Sequence, residues 1–321
     1  MKKLLIIHTG GTISMEQSQT GIQISSEHPL TTMKDDFEIP MEEVELFSLP
    51  SPHITPLHMV KLANYVQSRL HDSHAIEGIV ITHGTDTLEE TAYFLELTIK
   101  SHIPIVMTGA MRPSNEIGTD ALYNFYSAIR VALTKEASHY GVLVVMNDEI
   151  HSARYVTKTS TSNVATFKSP PFGPIGLIHH KKVVFYHKNM YSDNKLPIDT
   201  ISKSVYMFKA FSGMPIEMFE SIDTNKVNGV VIEALGQGNL PPTILPILSK
   251  LIEKGLVIVI VSRCYNGMVQ PVYGYDGGGK SLESIGVIFA NQINGPKARL
   301  KLLLLLENHS TKKEIIDSFT D

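Results

Sequence analysis

Short runs of bulky apolar residues recur through the first half of the chain, and each run ends in glycine or in polar residues. Short runs that are apolar throughout are typical of buried parallel strands. Between them, apolar residues recur at helical spacing; Thr55-Pro56 provides a helix N-cap and a first-position proline, and residues 87–90 have the pattern of a capping box. This alternation predicts a parallel sheet with helices on both faces. The strongest predicted strands of this half are 4–7, 78–82, 103–108 and 141–146.

Right-handed crossovers bring the carboxyl ends of parallel strands to one edge of a sheet. Gly10 and Gly11 let the chain turn sharply after the first strand. Thr12 then lies at the mouth of the sheet, where α/β folds bind ligands. Residues that follow other predicted strands are expected to converge on Thr12. They are Ser51, Thr85, Asp86 and Ala110.

We interpret Thr12 as a nucleophile. A threonine hydroxyl attacks poorly unless a base removes its proton. Lys158 lies in a hydroxyl-rich run, and a lysine that burial keeps uncharged can be that base, with Asp86 to orient it. Thr85, at a neighbouring strand end, can deliver protons, and backbone N–H groups at glycine turns such as Gly11 can hold the oxyanion of an acyl transfer.

The same residues also have ordinary structural interpretations. Thr12 fits a turn, Asp86 fits a helix N-terminus and Lys158 fits a solvated surface charge. One observation favours a shared function: the chain has His-Thr-Gly-Gly-Thr at 8–12 and His-Gly-Thr at 83–85, so two separate strands end in similar turns.

Composition limits the classes of function. The chain has 321 residues, of which 43% are hydrophobic, enough for two ordinary domains with large cores. A net charge of −4 gives no reason to expect nucleic acid or a membrane as a partner. Cys264 is the single cysteine, which excludes an internal disulfide, and the opening apolar run is too short for a secretory signal, so we expect a cytoplasmic protein. The histidines do not show the spacing of metal ligands, so we expect no catalytic metal, and we expect no cofactor either. His8 and His83 are expected to be packed and hydrogen-bonded.

Two glycine-rich segments match nucleotide-binding loops only weakly. Residues 236–241 begin like a dinucleotide fingerprint, but Pro241 takes the place of the third glycine. Residues 277–281 resemble a phosphate loop, but no strand precedes them at the right place and the glycine spacing is wrong. We interpret both segments as turns.

Two polar segments without periodicity complete the plan of the chain. Residues 14–30 predict a surface loop, either a lid over the first strand or a plain connection. Residues 187–204 predict a linker before a second α/β set. The expected fold class is α/β, with a larger flavodoxin-like parallel sheet and flanking helices in the first domain and a smaller α/β domain after it. The expected domains are 1–187, which is catalytic, a linker at 188–208, and 209–321.

Five motifs spread over nearly the whole chain resemble, in order, those of bacterial-type L-asparaginases, the asparaginase/glutaminase family. They are Thr-Gly-Gly-Thr-Ile at 9–13, His-Gly-Thr-Asp-Thr at 83–87, Gly-Ala-Met-Arg-Pro at 109–113, Val-Thr-Lys-Thr at 156–159 and Gly-Pro-Lys-Ala-Arg at 295–299. The resemblance implies hydrolysis of L-asparagine to L-aspartate and ammonia through a covalent acyl-threonine.

The resemblance also implies a role for each site residue. Thr12 would be the primary nucleophile, with Gly11 beside it in the binding site. Thr85, Asp86 and Lys158 would form the proton-handling group, and the Thr85 N–H would help to hold the oxyanion.

Substrate binding follows from the same resemblance. Asp86 would also bind the substrate α-ammonium, Ser51 its α-carboxylate, and the Ala110 carbonyl would face the leaving amide. Asn239 matches a residue that completes the neighbouring subunit's site, and Asp276 is the expected acidic residue of that contribution. A homodimer, commonly paired into a homotetramer, is implied.

The chain departs from the family pattern in three places. The acidic residue that the neighbouring subunit's loop normally supplies has no motif match in this sequence, and Asp276 is the residue that we expect to serve there. Residues 14–30 contain no tyrosine, although the family's lid usually carries one that activates the nucleophile; Thr20 is a hydroxyl that can replace it. Pro52 stands in the carboxylate-binding motif and offers no side-chain hydrogen bond. The preference for asparagine over glutamine is therefore left open, and one methylene is worth about 1–3 kcal/mol of discrimination.

Two other functions remain as alternatives. The amidase subunit of a tRNA-dependent amidotransferase usually has an extra domain, for which this length leaves no room. A non-catalytic binding protein for a small amino acid is favoured by the missing lid tyrosine.

Overall fold

The computed structural model describes residues 2–18, 21–24, 37–71, 75–187 and 194–320. The chain divides into two compact units, Met1–Lys195 and Leu196–Asp321, and each has its own sheet and helices. The predicted two-domain α/β fold is confirmed. Within the described ranges, no helix is long and apolar enough to cross a membrane.

The first unit is organised around β1, whose residues Leu4 to Ile7 are fully buried. The strands of this unit are β1 (Lys3–His8), β2 (Met15–Ser18), β3 (Gly21–Ile24), β4 (Met41–Glu45), β5 (Ile76–Thr82), β6 (Ile105–Thr108), β7 (Val142–Met146), β8 (Glu149–Ser152), β9 (Thr157–Lys158), β10 (Phe167–Lys168), β11 (Gly176–His179) and β12 (Lys182–Phe185). Its helices are α1 (Pro56–His71), α2 (Leu88–Thr98) and α3 (Ala121–Ala132). Five strands pair in parallel in the order β4-β1-β5-β6-β7. This is the flavodoxin-like order, and its topological switch point, where ligands bind, lies beside β1.

The sheet continues beyond β7 as an antiparallel extension formed by β8, β11 and β12. Asn147 and Asp148 both have positive φ, 50° and 63°, and they form the tight turn of the hairpin between β7 and β8. The sheet is therefore mixed, because this turn returns the chain directly, whereas a parallel neighbour needs a crossover connection.

The segment predicted as a surface loop at 14–30 is partly a hairpin, because β2 pairs with β3. Met15 is buried, and its carbonyl accepts hydrogen bonds from the Ser114 N–H and hydroxyl, both at 3.3 Å. The start of the segment therefore packs against the loop after β6. Thr20 lies outside the described residues.

The second unit contains a parallel sheet in the order β13-β14-β15-β16. Its strands are β13 (Val205–Lys209), β14 (Gly229–Ala234), β15 (Val257–Ser262) and β16 (Ile288–Phe289), and its helices are α4 (Glu217–Glu220), α5 (Leu245–Glu253), α6 (Gly279–Ser284), α7 (Gly295–Glu307) and α8 (Lys312–Thr320). Most of β13 falls within the expected linker, 188–208. The linker therefore ends before β13, earlier than expected. The strand was not recognised because it lies at the edge of the sheet with exposed side chains, and polar residues precede it.

The glycine turn before α6 is built into the second unit. A Cβ on Gly277, whose φ is +82°, would lie 2.3 Å from the Leu240 carbonyl oxygen. Glycine is therefore needed here for close approach of two backbones, as expected of a structural turn.

His8 and His83 are packed and hydrogen-bonded at the ends of β1 and β5, as predicted. The His8 Nδ1 and Thr82 Oγ1 atoms lie 2.9 Å apart. His83 is fully buried; its Nδ1–H donates to the Gly84 carbonyl at 2.8 Å, and its Nε2 accepts from the Thr91 hydroxyl at 2.9 Å. Both contacts suit a neutral ring. Burial lowers the pKa of His83 to about 4, although the hydrogen bond to Gly84 acts in the opposite direction.

A substitution at Gly78 tests the packing of α3 on β5. A Cβ at Gly78 would lie 2.2 Å from the Ala132 carbonyl oxygen at the end of α3. We expect Gly78→Ala to lower the free energy of unfolding by about 1–3 kcal/mol, because the helix must shift. Urea denaturation followed by circular dichroism measures this. Gly274→Ala is the control, since nothing lies within 4 Å of its Cβ position. Equal midpoints for the two variants would contradict the packing.

Burial of His83 predicts a dependence of stability on pH. In the unfolded chain, His83 is protonated below its ordinary pKa of 6.5. In the folded chain it stays neutral until the pH falls to about 4. The free energy of unfolding should therefore fall between pH 6.5 and pH 4, by about 3 kcal/mol from this group. We expect His83→Gln to flatten this part of the profile. Exposed His102→Gln should leave the slope unchanged, and an equal slope in all three proteins would count against a buried neutral His83.

Candidate active site

Three turns meet at the carboxyl edge of the first unit's sheet. Gly11, which follows β1, has φ +87°, and a Cβ there would lie 2.2 Å from the Cα of Gly84, which follows β5. A Cβ on Gly84 would lie 2.7 Å from the Cβ of Ser51. The segments that carry Thr12, Ser51 and Thr85 are therefore in direct contact, because glycine leaves no side chain between them.

Thr12 begins a short 3₁₀ turn, Thr12–Ser14, and the Ser14 N–H donates to the Gly11 carbonyl at 2.9 Å. Thr12 is half-buried, and no residue in the described ranges forms a hydrogen bond with its hydroxyl. The hydroxyl is thus held on an ordered backbone while remaining open to a ligand.

A lysine links the two residues that follow Gly84. Lys158 Nζ donates to Thr85 Oγ1 at 2.9 Å and to Asp86 Oδ1 at 2.7 Å. Thr85 is buried, the Lys158 side chain is 17% exposed and the Asp86 side chain is 57% exposed. The group therefore has an interior end at the hydroxyl and a solvent-facing end at the carboxylate.

Ser51 is buried and tied to the same turn. Its hydroxyl oxygen accepts from the Asp86 N–H at 3.2 Å, and its carbonyl accepts from the Thr87 hydroxyl at 2.8 Å. The predicted side-chain cap by Thr87 is therefore absent from α2, because that hydroxyl donates to Ser51. Pro52 is exposed beside it.

Ala110 is fully buried just after β6. A Cβ on Gly109 would lie 3.3 Å from Thr85 Cγ2, so this loop adjoins the Thr85 turn. The Ala110 carbonyl has no hydrogen-bond donor among the residues that the structure describes.

Two residues that sequence reasoning missed hold this loop. The Asp120 carboxylate accepts the N–H groups of Met111 and Arg112, each at 3.0 Å. The Asn124 side chain donates to the Gly109 carbonyl at 3.0 Å and to Asp120 at 2.9 Å. Asp120 and Asn124 lie one turn apart at the start of a predicted helix, and that spacing is the signal that could have found them.

The two remaining predicted residues lie in the second unit. Asn239 follows β14, and its Oδ1 accepts from the Gly279 N–H at 3.3 Å. Asp276 is exposed in the adjacent turn, where the Leu240 N–H donates to the Gly277 carbonyl at 2.9 Å. Asn239 and Asp276 are thus on neighbouring loops at the carboxyl edge of the second sheet.

The charge arrangement supports proton transfer at Thr85. An ammonium group has no lone pair, so Lys158 can act as a base only after it loses a proton, and Asp86 Oδ1 is a carboxylate acceptor at 2.7 Å. Across the described ranges, no group of three histidine, cysteine, aspartate or glutamate side chains is arranged to hold a metal ion.

Comparison with known proteins gives matches over both units. The model of the family "Asparaginase, N-terminal" matches residues 3–191, and that of the "Glutaminase/Asparaginase C-terminal domain" matches residues 204–319. A probable L-asparaginase from Deinococcus radiodurans is 37% identical over 100% of this chain and 98% of its own length. A probable periplasmic L-asparaginase from Haemophilus influenzae is 34% identical over 100% of this chain and 93% of its own.

A solved structure agrees with these matches. The crystal structure of a probable cytoplasmic L-asparaginase from Campylobacter jejuni aligns over 100% of both chains, with a TM-score of 0.89 and 33% identity. Because two family models together span most of the sequence and relatives match it from end to end, this chain belongs to the asparaginase family.

Proposed function

We propose that this protein hydrolyses L-asparagine to L-aspartate and ammonia through an acyl-threonine intermediate. The observation that carries the proposal is the hydrogen-bonded group of Thr85, Lys158 and Asp86. Thr85 and Asp86 directly follow Gly84, whose turn contacts the turn of Gly11 and Thr12. Family membership and the named relatives support the substrate. We assign the catalytic groups to residues 1–187.

In the first half of the proposed reaction, Thr12 Oγ attacks the side-chain amide carbon of asparagine. The amide oxygen takes up negative charge, and we expect the N–H groups of Thr85 and of the glycine turn at Gly11 to donate to it. The Thr12 hydroxyl loses its proton in the attack, the C–N bond breaks, and the Thr85–Lys158 group passes one proton on to the leaving nitrogen. Ammonia then departs and an ester to Thr12 remains.

In the second half, water attacks the ester carbon. Thr85 takes a proton from the water while Lys158 accepts one from Thr85. The same group then returns one proton to the Thr12 oxygen, so that Thr12 regains its hydroxyl as aspartate is released. The sum is asparagine plus water to aspartate plus ammonia.

The hydrogen bonds of the site support the proposed substrate contacts. Ser51 Oγ accepts from the Asp86 N–H, so its own hydrogen is available to donate to the substrate α-carboxylate. Asp86 uses Oδ1 for Lys158, and the second oxygen of this largely exposed side chain suits the α-ammonium. The Ala110 carbonyl, which lacks a donor among the described residues, suits the leaving amide.

Removing either reactive group should greatly reduce turnover without unfolding the protein. We expect Lys158→Met to lower kcat about 10²–10⁴-fold, the range for losing an acid–base group, and Thr12→Ala to lower it at least as much. Ammonia release from asparagine and from glutamine measures this. Exposed Lys135→Met is the control and should match wild type.

Near wild-type turnover by Thr12→Ala would rule out the nucleophile assignment. Binding of asparagine by the wild type without ammonia release would favour a binding protein instead. Release only in the presence of charged tRNA would favour an amidotransferase subunit.

We also propose that the active form is a homodimer or dimer of dimers, in which Asn239 and Asp276 complete the site of a neighbouring subunit. Large apolar side chains are exposed around these residues, which supports a protein contact there. They are Tyr265, Met268, Val272, Tyr273 and Tyr275, with exposed fractions from 43% to 55%. We place the protein in the cytoplasm, as in the Campylobacter protein's description, and cell fractionation tests this against the periplasmic Haemophilus relative.

Complementation between two inactive variants tests the shared site. Thr12→Ala and Asn239→Ala subunits with different tags are co-expressed, and assemblies carrying both tags are purified. A mixed dimer then has one doubly altered site and one intact site, so we expect about half of wild-type ammonia release. If each subunit used its own Asn239, both sites of the mixed dimer would be altered and no activity would be recovered.

A further inference from the structure

The strand that carries Lys158 is short. Strand β9 pairs with β10 through only two residue pairs, Lys158 with Phe167 and Thr157 with Lys168. A lysine side chain has several rotatable bonds, so two backbone pairs leave the position of Nζ weakly determined. Other contacts must hold Lys158 if it is to reach Thr85 reproducibly.

The loop between β9 and β10 is closed by its own hydroxyl groups. The Thr166 hydroxyl donates to the Ser160 carbonyl and accepts from the Ser160 N–H, both at 2.7 Å. The Thr159 hydroxyl donates to the Thr166 carbonyl at 2.7 Å. These bonds stabilise the loop internally, but they do not connect Lys158 to the rest of the site.

Glu89 makes that connection. It lies in the first turn of α2, is 7% exposed, and its Oε2 accepts the backbone N–H of Lys158 at 2.6 Å. The Lys158 side chain is bound to Thr85 and Asp86, four and three residues earlier in the same segment. One short segment, 85–89, therefore binds Lys158 at both its main chain and its ammonium group.

Strands β9 and β10 form a two-stranded ribbon, and its second strand, β10, is fixed to the main sheet. On β10, Lys168 Nζ donates to both carboxylate oxygens of Glu149, at 2.7 and 2.9 Å. His151 Nε2 lies 3.2 Å from Glu149 Oε2, and its Nδ1 lies 2.9 Å from the Ser169 hydroxyl. Burial raises the pKa of Glu149, but hydrogen bonds from His151 and Lys168 outweigh it and hold that pKa below its usual value. With β10 held in this way, the bond from Glu89 fixes the Lys158 main chain against the segment that carries Thr85.

We infer that Glu89 is a positioning residue, whose carboxylate holds the Lys158 main chain so that Nζ reaches Thr85. The inference rests on the proposed function, since it assigns Lys158 to proton transfer. A buried carboxylate is costly unless it is hydrogen-bonded, and the charge-assisted bond to an N–H explains its place here. Glu89 itself does not touch the reacting atoms.

Three substitutions at Glu89 separate positioning from charge. Glu89→Gln keeps an oxygen acceptor at the same reach and should retain kcat within a few-fold. Glu89→Leu removes the acceptor, and Glu89→Asp withdraws it by about one methylene while keeping the charge. Both should lower kcat, by up to about 10²-fold for a displacement near 1 Å, with KM little changed. If Glu89→Leu does not fold, Glu89→Asp supplies the result.

A matched control exists in the second unit. The Glu314 carboxylate, in the first turn of α8, accepts the Thr311 N–H at 2.7 Å. Glu314→Leu removes the same kind of bond, so its kcat should equal that of wild type even if its unfolding midpoint falls. A fall in kcat in both variants would point to general destabilisation and overturn the inference.

The decisive measurement uses the Lys158→Met background. A residue that acts through Lys158 should cost little more once that side chain is absent, so Glu89→Leu or Glu89→Asp should leave the residual ammonia release nearly unchanged there. An equal fold-loss in both backgrounds, or a change confined to KM, would overturn the inference. Failure of the proposed function would appear differently, as full activity of Lys158→Met itself.

Discussion

The contact between Gly11 and Gly84 is the constraint on which the candidate site depends. Hydrogen is the largest group that fits between the two turns, since a methyl at Gly11 would lie 2.2 Å from a neighbouring Cα. Thr12 and Thr85 follow these glycines directly, so two hydroxyls from distant parts of the chain share one edge of the sheet. The flavodoxin-like order, with β1 beside β5, is what places the two turns next to each other.

The polar side chains around this contact differ in their exposure to solvent. Thr85 and Ser51 are buried, and Ser51 is hydrogen-bonded to the residues that follow Thr85, whereas more than half of the Asp86 side chain is exposed. Lys158 connects the interior hydroxyl with the exposed carboxylate. The proton transfer that we propose between Thr85 and Lys158 would therefore need no large movement of the chain.

The sequence was informative where a residue's role is local. Apolar runs predicted the central strands, and glycine turns predicted where the chain would end a strand and leave room. Pairing between distant segments leaves no periodic signal, so the bond from Glu89 to Lys158 was not predicted. Thr87 shows the same limit, because its hydroxyl meets Ser51, a partner from another part of the chain. The hairpin turn at Asn147 and Asp148 was missed because its strand β8 is only four residues long, Glu149–Ser152, and has one bulky apolar residue.

The self-closed loop between β9 and β10 has a practical consequence. The bonds that close it join Ser160 and Thr166, Asn163 adds bonds to Ser160 and Ala165, and the tip, 161–163, is exposed. Residues 161 and 162 can therefore vary in sequence, or accept a spectroscopic label, while the pairing of β9 with β10 is kept. A fluorophore attached there would lie a few residues after Lys158 and would report movement of the β9–β10 ribbon.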